Sequence, residues 1–155
     1  MKIQRVPVVI VVVVMSWICV AGTAHAQALV SVGAGGLYPP GTVFNSVPIT
    51  GLQSGYGIEI TSTGSAIGQF CTILLGLAGE RIAIEGNASS GSRLAPNIVT
   101  FSGTCSVNGP TGRTAGVPFT ATVTTDINDQ GSIGLIIGAN KLPDGIVTTG
   151  SMTIK

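Results

Sequence analysis

Two cysteines are the residues best placed to do chemistry in this chain. Cys71 lies in Phe70-Cys71-Thr72-Ile73-Leu74-Leu75, and Cys105 closes the run Val99-Thr100-Phe101-Ser102-Gly103-Thr104-Cys105. Each stretch reads as a β-strand with its cysteine on the apolar side of the alternation. Cys71 and Cys105 are therefore expected to form a disulfide between inward-facing strands. Closing that loop of about 35 residues would stabilise the fold by roughly 4 kcal/mol through chain entropy. A third cysteine, Cys19, lies in the N-terminal leader described below.

Other reactive constellations are sparse. The only histidine is His25, in the same leader, and the chain contains no Gly-x-Ser-x-Gly elbow, so a nucleophile–base pair has no base. Neither Lys141 nor Lys155 has a serine at Ser-x-x-Lys spacing. Metal catalysis needs clustered His, Cys or carboxylates. Beyond the leader only six scattered acids remain: Glu59, Glu80, Glu85, Asp126, Asp129 and Asp144. A glycosidase-type pair would have to come from Glu59, Glu80 and Glu85, and the strand reading points Glu80 and Glu85 to opposite faces. Gly86 to Arg93 has the outline of a phosphate loop without its lysine and reads as a turn. Hence no catalytic, cofactor-binding or metal-ligating residues are assigned.

Two further stretches call for a ligand reading. Asp126-Ile127-Asn128-Asp129-Gln130-Gly131-Ser132-Ile133 resembles the first half of an EF-hand calcium loop, with an acid at position 1, Asn at 3 and Gly at 6. Gln130 stands at position 5 and Ile137 at position 12, where acids belong, so a hairpin turn is the expected outcome. Thr120, Thr122 and Thr124 form a threonine row, the ordinary choice for the solvated face of a strand. Asn87-Ala88-Ser89 matches a glycosylation sequon.

The elements that must position these residues begin with a leader. Residues 1–26 combine Lys2 and Arg5, an apolar run from Val6 to Val20, and Ala24-His25-Ala26. That is the three-part pattern of a secretory signal peptide, with cleavage expected after Ala26. It leaves one domain, residues 27–155, with two cysteines and an oxidising compartment to pair them. Charged residues are 8% of the chain, and the domain carries five basic side chains against six acidic ones. This balance gives no electrostatic basis for nucleic acid or an anionic membrane as partner.

Along the domain, Leu29–Ala34 reads as an edge strand and Gly41–Gly57 as one short strand at most. Ile58–Thr61 follows, then Ala66–Leu77 with Cys71, Ile73, Leu75 and Leu77 inward. A strand with Ile82 and Ile84 on one face leads to a flexible turn over Gly86–Ser92. Asn97–Val107 places Val99, Phe101, Cys105 and Val107 inward. Val117–Thr125, Ser132–Gly138 and Ile146–Ile154 complete the chain. Seven to nine short strands with turn signals about every ten residues, and no helix after the leader, define an all-β domain. A small antiparallel β-sandwich tied by the disulfide is expected ahead of a barrel.

Asn97–Val107 also resembles a strand of a chaperone–usher pilin, and Leu29–Ala34 could serve as a donor strand. The pilin-type C-terminus is lacking, and no residue roles transfer. The functional expectation is an exported, non-enzymatic structural or interaction protein of the cell envelope or extracellular space, able to associate with itself or another envelope protein. It is periplasmic, secreted or at the cell surface, without cofactor and without membrane contact after leader cleavage. The alternative is a secreted binding module for a small ligand, sugar or calcium, for which a pocket lined by Tyr38, Tyr56 or Phe44 would speak.

Overall fold

Alternation of apolar and polar residues builds the molecule almost entirely from strands. The computed structural model describes residues 26–155, so the leader expected over residues 1–26 lies outside the described residues except for Ala26. Ten strands follow in order: β1 (Ala26–Leu37), β2 (Val43–Phe44), β3 (Val47–Thr61), β4 (Ala66–Gly76), β5 (Arg81–Ala95), β6 (Ile98–Gly109), β7 (Gly112–Thr125), β8 (Gly131–Ile137), β9 (Asn140–Lys141) and β10 (Gly145–Ile154). All belong to one antiparallel sheet.

That sheet closes on itself. Successive long strands pair with their sequence neighbours from β3 to β8, β8 pairs with β9 and with the start of β10, and β10 pairs with β1. The ring is completed because β1 also pairs with β3, from Ala26↔Thr61 to Leu37↔Gly51. The expectation of a sandwich therefore gives way to an eight-stranded up-and-down barrel, with β2 and β9 as short additions at one end. Closure satisfies the edges that an open sheet of this kind would expose. Leu29–Ala34, expected as an edge or donor strand, is held on both sides by its own chain.

The core is the barrel interior. Val30, Ile58, Leu74, Ile84, Val99, Phe101, Val123 and Ile133 are fully buried within it. Six aromatic residues are few for a domain of this size, and four of them meet at one level. Phe70 stacks on Phe119 with ring centroids 4.6 Å apart, and Phe101 and Tyr56 meet these rings at tilted or edge-on angles. Such aromatic pairs contribute about 0.5–1.5 kcal/mol beyond their buried area. The outer face is mostly Thr, Ser, Gly and Gln. Apolar side chains thus fill the interior, with Leu29, Leu37, Ile67 and Ile146 among the apolar exceptions exposed outside.

The strand faces depart from the sequence reading at two places. On β4 the inward row is Ala66, Phe70, Thr72 and Leu74, so Cys71, Ile73 and Leu75 face outward. Both rows of this strand are largely apolar, which deprives alternation of its power to choose a face. The face is set instead by β3, whose buried Ser54 pairs with Thr72 and shares a hydroxyl–hydroxyl bond of 2.8 Å. The second departure is the expected turn over Gly86–Ser92, which is continuous strand within β5. In addition, the stretch allotted one short strand contains β2 and most of the 15-residue β3.

Candidate functional site

One end of the barrel carries the loops β1–β2, β2–β3, β4–β5, β6–β7 and β8–β9. Of these, β2–β3 is a two-residue hairpin, Phe44-Asn45-Ser46-Val47, with Phe44↔Val47 as its last pair. Asn45 and Ser46 both have positive φ, +47° and +67°, the signature of the type I′ turn whose twist suits antiparallel strands. Across the opening, Gly138 at φ +58° turns the chain from β8 into β9, and its N–H donates to the Pro118 carbonyl at 2.8 Å. The two turns meet through a side-chain bond: Asn140 Nδ2 donates to Asn45 Oδ1 at 2.9 Å.

Under this amide pair lies a cavity of about 210 Å³. Its apolar walls are Phe44, Val47, Ile82, Val107, Val117 and Ile137. Its rim is the two asparagines with Thr111 and Thr114 of the β6–β7 hairpin, and no charged side chain borders it. Concave apolar sites with a few polar groups at the mouth of a β-barrel are a common form of ligand site. Phe44 lines this cavity, whereas Tyr38 lines a separate apolar depression beside the β1–β2 loop.

The residues singled out by sequence are spread over the molecule. Cys71 lies on the outer face of β4 opposite Glu85, while Cys105 lies on the inner face of β6 opposite Gly86, and both are free thiols. The expected Cys71–Cys105 disulfide is therefore corrected. With β5 between them the two strands stand about 10 Å apart, since neighbouring strands are separated by about 4.8 Å. A disulfide cannot join Cα atoms beyond about 7 Å, and these side chains also point to opposite faces. Burial pushes the Cys71 thiol pKa up, and the neighbouring Glu85 carboxylate adds to the shift. Burial likewise raises that of Cys105.

Cys71 and Glu85 border an open trough of about 520 Å³ on the outer face of the barrel, where Arg113 Nη2 donates to Ser106 Oγ at 3.3 Å. Its exposed lining is the polar side chains Gln69, Glu85, Asn87 and Arg113, and it is somewhat more open than the barrel mouth. Glu80 is occupied at the start of β5, where its Oε2 accepts the Ala78 N–H at 3.0 Å. Glu59 sits on β3 opposite Leu29 and Ile67, away from both other glutamates.

The Asp126–Gly131 segment is a hairpin turn. Asp126 Oδ1 accepts the N–H groups of Asn128 at 2.8 Å and Gln130 at 2.9 Å, and Asp129 takes the positive φ that closes the turn. Its leading carboxylate thus serves the backbone, as Asx turns do. No group of three or more metal-ligating side chains occurs among the described residues.

Two phenols lie inside the barrel. The hydroxyls of Tyr38 and Tyr56 are buried and have no hydrogen-bond partner among the described residues. Burial raises both phenol pKa values well above the ordinary value near 10. The Asp144 charge adds to the shift of Tyr38, and Tyr38 adds to that of Tyr56.

Asn45 and Asn140 escaped the sequence reading. The only available signal was the two-residue Asn-Ser turn between Val43-Phe44 and Val47, which marks a hairpin but not its partner 95 residues away. Comparison of the chain with protein-family models, with curated protein sequences and with solved structures found no match.

Proposed function

We propose that this chain is an exported, non-catalytic binding module that holds a small molecule in the mouth of its barrel. The observation that carries the reading is the half-open cavity, walled by apolar side chains and rimmed by polar groups, beneath the Asn45–Asn140 bond. A fixed amide rim over aliphatic walls gives a ligand burial for affinity and a few polar contacts for orientation. Export rests on the three-part leader in the sequence, and the non-catalytic reading on the missing base and scattered acids. Screening the mature chain, residues 27–155, by NMR against a fragment library tests it. Saturable shifts at Val107, Gly112, Ile137 and Asn140 are expected. A library without one binder at those residues would remove the proposal.

A second reading, self-association, is favoured by an apolar row on the outer face. Ile146 and Leu37 are opposite one another and more than half exposed, and the Leu37 and Leu75 side chains flank Gly51. Barrel closure counts against assembly by strand addition, so association would proceed through side chains of this row. Sedimentation velocity across a range of concentrations separates the two readings, because a constant monomer removes the second.

A further inference from the structure

Resting on the reading of the mouth as a binding site, we infer that its ligand is an uncharged, compact ring system carrying one hydrogen-bonding group. Size sets the first limit. A cavity of about 210 Å³ exceeds the roughly 150 Å³ apolar hole that accepts benzene, so a substituted or fused ring fits. Depth sets the second. One inward step below Ile82 and Ile137, Ile84 and Leu135 are fully buried in the core, so the cavity ends there and a long acyl chain has no channel to follow.

Charge sets the third limit. The walls are aliphatic or aromatic, and the rim offers only amides and hydroxyls. An ion moved into such a site loses hydration without gaining a counter-charge. The rim also explains the single polar group. Asn140 Nδ2 donates to Asn45 Oδ1 and, at 3.5 Å, to the Ile137 carbonyl, which leaves the Asn140 Oδ1 acceptor and the Asn45 Nδ2 donors, so the pair can meet either an N–H or a carbonyl on the ligand. The positive-φ turns at Asn45-Ser46 and Gly138 set the backbone that carries those amides, and the bond between the amides joins the two turns.

The test titrates the ¹⁵N-labelled mature chain with four probes: indole, indole-3-acetate, tryptamine and dodecanol. Indole is expected to shift the mouth amides saturably, with both charged analogues at least about tenfold weaker. Dodecanol is expected to leave the mouth unmoved. Ala139→Trp places a large side chain at the rim from an exposed turn position and is expected to abolish the indole shifts while the remaining spectrum stays folded. Tighter binding of a charged analogue or of dodecanol at the mouth would overturn the ligand class and leave the binding-module reading standing. So would silence from all four probes if the fragment library yields a mouth binder of another class. Silence from both the probes and the library would overturn the binding site itself.

Discussion

At the scale of residues, the two thiols separate by environment. Cys105 is nearly inaccessible on the inner face, whereas Cys71 is half-buried on the outer face beside Glu85. The thiolate is the reactive form, and both pKa values are raised, so alkylation of the native chain should be slow at neutral pH and should reach Cys71 first. Unfolding without reductant should then expose two reactive thiols, as intact mass would show. A mass two hydrogens lower, with no reactive thiol, would instead restore the disulfide. The phenols lead to a second expectation. Unfolded tyrosines ionise near pH 10, while buried Tyr38 and Tyr56 resist ionisation to higher pH. Above pH 10 the unfolded state therefore binds fewer protons than the folded one, so stability falls as pH rises. Urea midpoints measured from pH 8 to 11 should show this decline, and Tyr56→Phe should flatten it.

At the scale of elements, legibility followed the contrast between faces. On β7, Phe119, Ala121 and Val123 alternate with threonines, and the sequence assigned the right face. On β4 both rows were apolar, so the buried Ser54–Thr72 pairing with β3 decided the face, and no local pattern could anticipate it. Gly86 to Ser92 read as a turn because it is rich in small residues, yet Gly86 has a packing reason. An added Cβ would come within 2.7 Å of Cys105 Cβ and against the Thr104 carbonyl. Gly86→Ala should therefore destabilise the domain by about 1–3 kcal/mol, a typical overpacking cost, measurable by urea denaturation. A neutral effect would mean that β5 and β6 are less closely apposed than described. The mouth was legible only in part: Phe44 could be named as a pocket residue, but the Asn45–Asn140 bond joins elements distant in sequence.

At the scale of the whole molecule, closure was the feature least available from sequence. Strand number and turn spacing fit sandwich and barrel alike, and the choice depends on β1 meeting both β3 and β10. The two architectures differ in how firmly β1 is held. In a closed barrel the backbone amides of Val30, Val32 and Ala34 should exchange with solvent as slowly as those of Val99 and Phe101. An open sandwich would leave a row of edge amides on β1 exchanging orders of magnitude faster. Hydrogen-exchange mass spectrometry on residues 27–155 decides between these outcomes.

Where the ring closes, Leu29 and Lys155 exchange both backbone hydrogen bonds, Leu29 N–H to Lys155 at 2.9 Å and Lys155 N–H to Leu29 at 3.0 Å. Both residues lie at the same end of the barrel, at the foot of an antiparallel pair. Tension applied between them would load the β1–β10 ladder one rung at a time, as a zipper opens, instead of shearing all its bonds together. A molecule joined in this way is mechanically soft when pulled between those two residues, however stable it is to heat. Anchored through one end alone, the same barrel would carry no load across its seam.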